Sequence, residues 1–229
     1  MTIAENLSIV QEAIGAARKN CPVSLVAVSK TFPEEAIWEA FLSGQRVFGE
    51  NYVQEGVRKI QYFRNVQPKA AFEWHFIGPL QSNKSRLVAE YFDWVQSIDR
   101  LKIARRLSEQ RPESLPALNV LIEVNIDGEA TKSGVAPDEL LSMAKDVAVL
   151  PNLRLRGLMC IPSAQADEAQ NRMAFSRMKS LFDQCRDEGL EFDTLSMGMS
   201  ADFTVAIEQG ATMVRVGSAI FGARDYSSR

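Results

Sequence analysis

Along the 229 residues, short β-branched apolar runs alternate with longer stretches whose apolar positions recur three and four apart. The runs predict strands at "SLVAVS" (24–29), "QRVFG" (45–49), "EWHFIG" (73–78), "DWVQSI" (93–98), "LNVLIEVNI" (118–126), "LRLRGLMCI" (153–161), "TLSMG" (194–198) and "TMVRVG" (212–217). The helical period predicts helices near 34–43, 52–64, 83–91, 100–110, 137–148, 166–188 and 201–209. Start signals accompany several of them: Pro33 ahead of Glu34 and Glu35, Asp99, Pro137 with Asp138, and Ser200. The first twenty residues place Ile3, Leu7, Val10 and Ile14 at helical spacing among acids and polar residues. They read as an amphipathic helix and not as a signal peptide.

Eight strands, each followed by a helix or helical turn, match the count of a (β/α)8 barrel. A doubly wound open sheet has the same local pattern. Even spacing along the chain and the lack of G-x-G-x-x-G after the first strand favour the barrel. No linker or charge block divides the sequence, so residues 1–229 read as one α/β domain.

Composition narrows the classes. Hydrophobic residues at 46% and charged residues at 24% fit a packed core. A net charge of −3 argues against nucleic acid, while leaving room for a local anion site. Cys21, Cys160 and Cys185 are far apart and His75 is the only histidine, which argues against structural zinc. A reducing cytoplasm is the expected setting. No apolar run approaches the ~20 residues that cross a bilayer, so no membrane span is expected.

In both architectures the chemistry sits at the carboxyl ends of the strands. Lys30 follows strand 1. It is either a lysine snorkelling to solvent or an imine-forming lysine, whose amine must be neutral to attack a carbonyl and is favoured by an apolar setting. After strands 7 and 8 come "SMGMSADF" (196–203) and "RVGSAIFG" (215–222), each joining glycine and small hydroxyl residues to a helix start. Gly198, Gly217 and Gly222 are turn glycines and Ser200 a helix cap, or the two segments together cradle a phosphate. Arg215 precedes Gly217 by two and shares its face of the strand. Its buried charge needs an acceptor, either a carboxylate such as Glu123 or a ring nitrogen of a ligand. Lysine, phosphate cradle and arginine together describe a pyridoxal 5′-phosphate (PLP) site.

Five segments carry a resemblance: "AVSKT" (27–31), "FGENYVQE" (48–55), "WHFIGPLQSNK" (74–84), "LSMGMSADF" (195–203) and "MVRVGSAIFGARDY" (213–226). Through them the chain closely resembles, over nearly its whole length, the YggS/PLPBP family of pyridoxal phosphate homeostasis proteins. The resemblance implies a single (β/α)8 TIM barrel similar to the N-terminal domain of alanine racemase. It implies PLP held as an internal aldimine on Lys30, a phosphate held by Ser200, Gly217 and Ser218, Arg215 facing the pyridine nitrogen, and Asn51 near the ring. It also implies a PLP carrier or buffer that affects vitamin B6 and amino-acid balance without robust catalysis, with PLP-dependent apo-enzymes as partners. The alternative is a low-activity PLP-dependent amino-acid racemase. Racemisation needs a second base, which alanine racemase draws from an additional β domain. Only 12 residues follow the last strand here, and Tyr226 in that tail is a poor fixed base. Lacking that dimerising domain, the protein is expected to be a monomer.

Other residues have open readings. His75 is either an acid–base group or a buried histidine satisfied by backbone groups. "GPLQSNKSR" (78–86) is a mouth segment, a partner surface or a solvated helix start. Lys132 in "DGEATKSG" (127–134) is a second lysine able to relay PLP, or a solvated loop residue. Asp127 and Glu129 match only part of a calcium loop. Phe32, Trp38 and Met159 read as core.

Overall fold

The computed structural model describes residues 1–18, 21–129, 132–163 and 165–223. Eight parallel strands close a barrel in sequence order: β1 (Ser24–Val28), β2 (Val47–Glu50), β3 (Glu73–Phe76), β4 (Trp94–Ile98), β5 (Leu118–Glu123), β6 (Leu153–Met159), β7 (Thr194–Ser196) and β8 (Met213–Val216). Val26 on β1 lies opposite Arg215 on β8, and Ala27 opposite Val216. That closure removes the sheet edges and decides between barrel and open sheet.

The strand period of two sorts side chains into two cores. Ala27 and Phe48 point outward under the helices, whereas Val26, Trp94, Leu121, Met159 and Met213 pack together inside the barrel. The helices are α1 (Ile3–Ala17), α2 (Glu34–Leu42), α3 (Val53–Val66), α4 (Ser85–Tyr91), α5 (Leu101–Gln110), α6 (Leu140–Ala148), α7 (Glu168–Asp187), α8 (Phe203–Glu208) and α9 (Ser218–Phe221). The first of these starts at a capping box: Thr2 Oγ1 accepts from the Glu5 N–H, and the Glu5 carboxylate accepts from the Thr2 N–H. Leu7, Val10 and Ile14 are its buried face. It packs on α2, α8 and α9, and Asn6 donates to the Ile220 carbonyl at 2.8 Å.

Several elements are shorter than the pattern predicts. β2 begins at Val47 because the Gln45 amide donates to the Leu25 and Val47 carbonyls and holds the chain before it as a turn. β5 and β6 stop at Glu123 and Met159, where the chain turns out to form the mouth loops. β7 leaves the sheet before Gly198, which adopts φ +94°. α6 starts at Leu140, three residues after Pro137.

Candidate functional site

The carboxyl ends of β1, β2 and β8 and the loops after β3, β6 and β7 surround a cavity of about 290 Å³. All six residues singled out in the sequence line it: Lys30, Asn51, Ser200, Arg215, Gly217 and Ser218. Val28, Ile77 and Ile161 supply apolar wall. Among the described residues lining it, Lys30 and Arg215 are the only ionisable side chains. A larger and more open depression of about 560 Å³ lies beside α7, but it contains no lysine and no glycine loop.

Lys30 reaches this cavity because Val26 and Val28 face the barrel interior and the alternation continues past the strand end. The backbone around it is tightly held. The Ser29 N–H donates to the Gly49 carbonyl, and the Thr31 N–H to Glu55 Oε1 at 2.6 Å. Thr31 sits at φ +69°, an uncommon conformation for a β-branched residue. Behind it lies a buried cluster that sequence reasoning missed. Lys59 on α3 donates to Glu50 Oε1 (2.8 Å), Glu55 Oε1 (2.7 Å) and the Ser29 carbonyl (2.8 Å), and the Ser29 hydroxyl donates to Glu50 Oε1 (2.6 Å). Burial pushes the Glu50 carboxyl up to about 7, with the Lys59 charge opposing the rise. The available signals were the two acids in "FGENYVQE" and a lysine four residues after the second.

Ser200 joins the two glycine segments. Its Oγ accepts from the Gly217 N–H (3.3 Å) and the Ala219 N–H (3.4 Å), tying the loop after β7 to the start of α9. It does not cap the following helix: the N-cap of α8 is Asp202, whose Oδ1 accepts from the Met199 N–H at 2.6 Å. Gly198 is required here, since a Cβ would lie 2.6 Å from Ala206 Cβ and 2.9 Å from Phe203 Cα.

Arg215 is buried and donates to Ser196 Oγ (2.6 Å) and the Cys160 carbonyl (2.9 Å). Of the two acceptors weighed for it, a carboxylate such as Glu123 or a ligand ring nitrogen, the first is not its contact: no Glu123–Arg215 ion pair forms among the described residues. Glu123 still feels it, because burial pushes that carboxyl up to about 7 while the arginine charge pulls the other way. Asn51 Oδ1 and Thr31 Oγ1 are buried oxygens without a hydrogen-bond partner among the described residues. Such atoms are rare in folded proteins and mark a place for a ligand or water. Lysine, an orphaned amide acceptor, a buried arginine and glycine-hydroxyl loops form a set of groups that fits PLP.

The remaining candidates lie elsewhere. His75 is buried but is satisfied by side chains, Glu73 and Gln96, and not by backbone groups. Burial pushes its pKa below the ordinary histidine value. Lys132 pairs with Asp127 (3.1 Å) and Glu129 (3.3 Å) in the loop after β5, and does not line the cavity. Segment 78–86 forms a 3-10 turn (Ser82–Lys84) leading into α4, with Gln81, Asn83 and Arg86 exposed. Phe32 stacks on Phe221 at 5.0 Å, while Trp38 and Met159 pack in the core. Tyr226 lies outside the described residues. No group of three His, Cys, Asp or Glu able to hold a metal occurs among the described residues, and none of their helices is long and apolar enough to cross a membrane.

Comparison with known proteins places this barrel. The sequence profile of the alanine racemase N-terminal domain family matches residues 2–225. The alanine racemase of Corynebacterium glutamicum shares the fold at TM-score 0.71 and 19% identity, over 99% of this chain and 62% of that one. A pyridoxal phosphate homeostasis protein of Vibrio cholerae serotype O1 is 55% identical over 231 residues, covering 99% of this chain and 98% of that protein. PipY of Synechococcus elongatus PCC7942, solved with PLP bound, superposes at TM-score 0.85 with 33% identity over 96% of this chain and 100% of that one. The chain therefore belongs to the alanine racemase N-terminal domain family and, within it, to the pyridoxal phosphate homeostasis proteins.

Proposed function

We propose that residues 1–229 act as one barrel domain that binds PLP in the mouth cavity, carries and buffers it, and so contributes to vitamin B6 and amino-acid homeostasis without robust catalysis. When bound, the cofactor supplies an aldehyde that condenses reversibly with a lysine amine and releases water. Lys30 provides that amine. Ser200, Gly217 and Ser218 hold the phosphate, Arg215 meets the pyridine nitrogen, and Asn51 lies beside the ring. The observation that supports this reading is the convergence of all six residues on one cavity. PLP in the related PipY supports it independently.

Weak chemistry follows from the same residues. A guanidinium is always protonated and only donates, so a ring nitrogen opposite it stays unprotonated and draws electrons poorly. No second ionisable base lines the cavity among the described residues. The three free cysteines, two of them buried, fit the reducing cytoplasm of this reading, in which the protein is a monomer that hands PLP to apo-enzymes.

The test is to load the protein with PLP and follow both exchange of Cα hydrogen across an amino-acid panel and activation of a PLP-dependent apo-enzyme. Activation with exchange well below ~1 s⁻¹, the low end of ordinary turnover, is the expected result. Exchange at or above that rate would instead establish a racemase-like enzyme.

A further inference from the structure

A line of polar side chains crosses the barrel interior below the cavity. Arg215 Nη1 lies 2.6 Å from Ser196 Oγ, which lies 2.6 Å from Gln96 Oε1. Gln96 Nε2 lies 2.8 Å from His75 Nδ1, and His75 Nε2 lies 2.8 Å from Glu73 Oε1. Arg215, Ser196, Gln96 and His75 are buried, on β8, β7, β4 and β3. Glu73, the first residue of β3, is partly exposed at the opposite end of the barrel. His75 also stacks on Trp94, with ring centroids 5.0 Å apart and planes 11° apart.

The two ends dictate the direction of every bond. Arginine only donates, so Ser196 Oγ accepts from it and passes its single hydrogen to Gln96 Oε1. The Gln96 N–H then points at His75 Nδ1, which must accept. The imidazole proton therefore sits on Nε2 and is donated to the Glu73 carboxylate. Flipping the Gln96 amide fails twice. It puts a second donor on Ser196 Oγ and strands the hydroxyl hydrogen, and it forces a proton onto Nδ1. A neutral ring would then turn a bare Nε2 lone pair toward Glu73. An imidazolium would resolve that clash, but burial works against it. One arrangement satisfies every atom.

We propose that Ser196, Gln96 and His75 are positioning residues for Arg215: anchored on Glu73, they fix the aim of its guanidinium at the mouth cavity and couple the occupant of that cavity to the far end of the barrel. The proposal deepens the PLP reading and rests on it for the identity of the occupant. No proton need travel along the line. Orientation and mutual polarisation of successive bonds are sufficient.

Because His75 is the only histidine, ¹⁵N-histidine labelling reports a single imidazole. In the ligand-free protein at pH 7 the expected state is the neutral Nε2–H tautomer. An Nδ1–H tautomer or an imidazolium overturns the proposal whatever PLP does. The second arm adds PLP carrying ¹⁵N in its ring. Loading is expected to shift the His75 resonances in the parent and not in Ser196→Ala, which removes one small hydroxyl. That variant should still give a borohydride-reducible adduct at Lys30, with the pyridine ¹⁵N signal displaced and affinity reduced about tenfold, as for a lost bond to a charged group. Gln96→Leu, which cuts the line at its centre, should behave alike, and circular dichroism checks that both variants fold. Unchanged affinity and an unchanged pyridine signal in folded Ser196→Ala overturn the proposal. A parent that takes up no PLP sinks the cofactor reading alone, since the tautomer in the ligand-free protein still decides whether the line exists.

Discussion

Replacing Lys59 by methionine removes a cation that is buried with no exposed side-chain surface. Its ammonium makes three hydrogen bonds, to Glu50, Glu55 and the Ser29 carbonyl. Glu55 keeps partial access to solvent, but Glu50 does not, and its Oε2 already lacks a partner among the described residues. Breaking a buried pair from one side typically costs about 3–5 kcal/mol, because the remaining charge is stranded. That is a large share of the ~5–15 kcal/mol that separates folded from unfolded chains. For a protein of this size it amounts to a fall in Tm on the order of 10 °C. The penalty has a predictable pH dependence. Burial already pushes the Glu50 carboxyl up to about 7, and losing Lys59 raises it further. The folded state then binds the proton more tightly than the unfolded chain, so Lys59→Met loses stability as pH rises from about 4.5 toward 8. Adding Glu50→Gln removes the stranded charge and should recover part of the loss at pH 8. Urea unfolding of the ligand-free protein at pH 5 and pH 8, read as a midpoint change at constant slope, measures all of this. A Lys59→Met protein within 1 kcal/mol of the parent at pH 8, or one made less stable there by Glu50→Gln, would refute the reasoning.

Three shorter predictions follow from the mouth and its loops. Glu123 also has a carboxyl pushed up to about 7 by burial, so its contribution to stability is complete below about 4.5 and is lost as pH rises through 7, by up to about 3 kcal/mol; Glu123→Gln should flatten the parent's decline between pH 5 and pH 8 in the same urea assay. Ser200→Ala should weaken PLP about tenfold in an absorbance titration, as a lost bond to a charged group does, while leaving the affinity for unphosphorylated pyridoxal nearly unchanged. Gly198→Ala forces a side chain into φ +94° against Ala206 and Phe203, and should lower stability by about 1–3 kcal/mol in thermal unfolding.

Much of this was legible in the residues. The alternation of apolar runs located all eight strands, because each buries one face inside the barrel and the other under helices. Lys30, and Arg215 two residues before Gly217, were visible because strand periodicity and the carboxyl-end rule together point them at the mouth. Strand ends were less legible. Gln45 and Gly198 end pairing through one side-chain bond and one backbone angle, which apolar pattern does not register. Arg215's need for an acceptor was predictable, but its identity was not, since Ser196 reaches it from the adjacent β7 and the Cys160 carbonyl from just past the end of β6. The same holds for the Glu50–Lys59 cluster and for the line through His75, Gln96 and Ser196. Lys59 and Glu50 are nine residues apart on consecutive elements, a spacing that no single helical or strand period joins, and the bonds of the line span 21 and 100 residues between different strands.

The central claim is that Lys30 carries the cofactor. Purified protein mixed with PLP, reduced with borohydride and digested should show the pyridoxyl phosphate mass on the peptide containing Lys30, together with a visible absorbance band that Lys30→Ala lacks. Modification spread over surface lysines with Lys30 untouched, or the same band in Lys30→Ala, would contradict it.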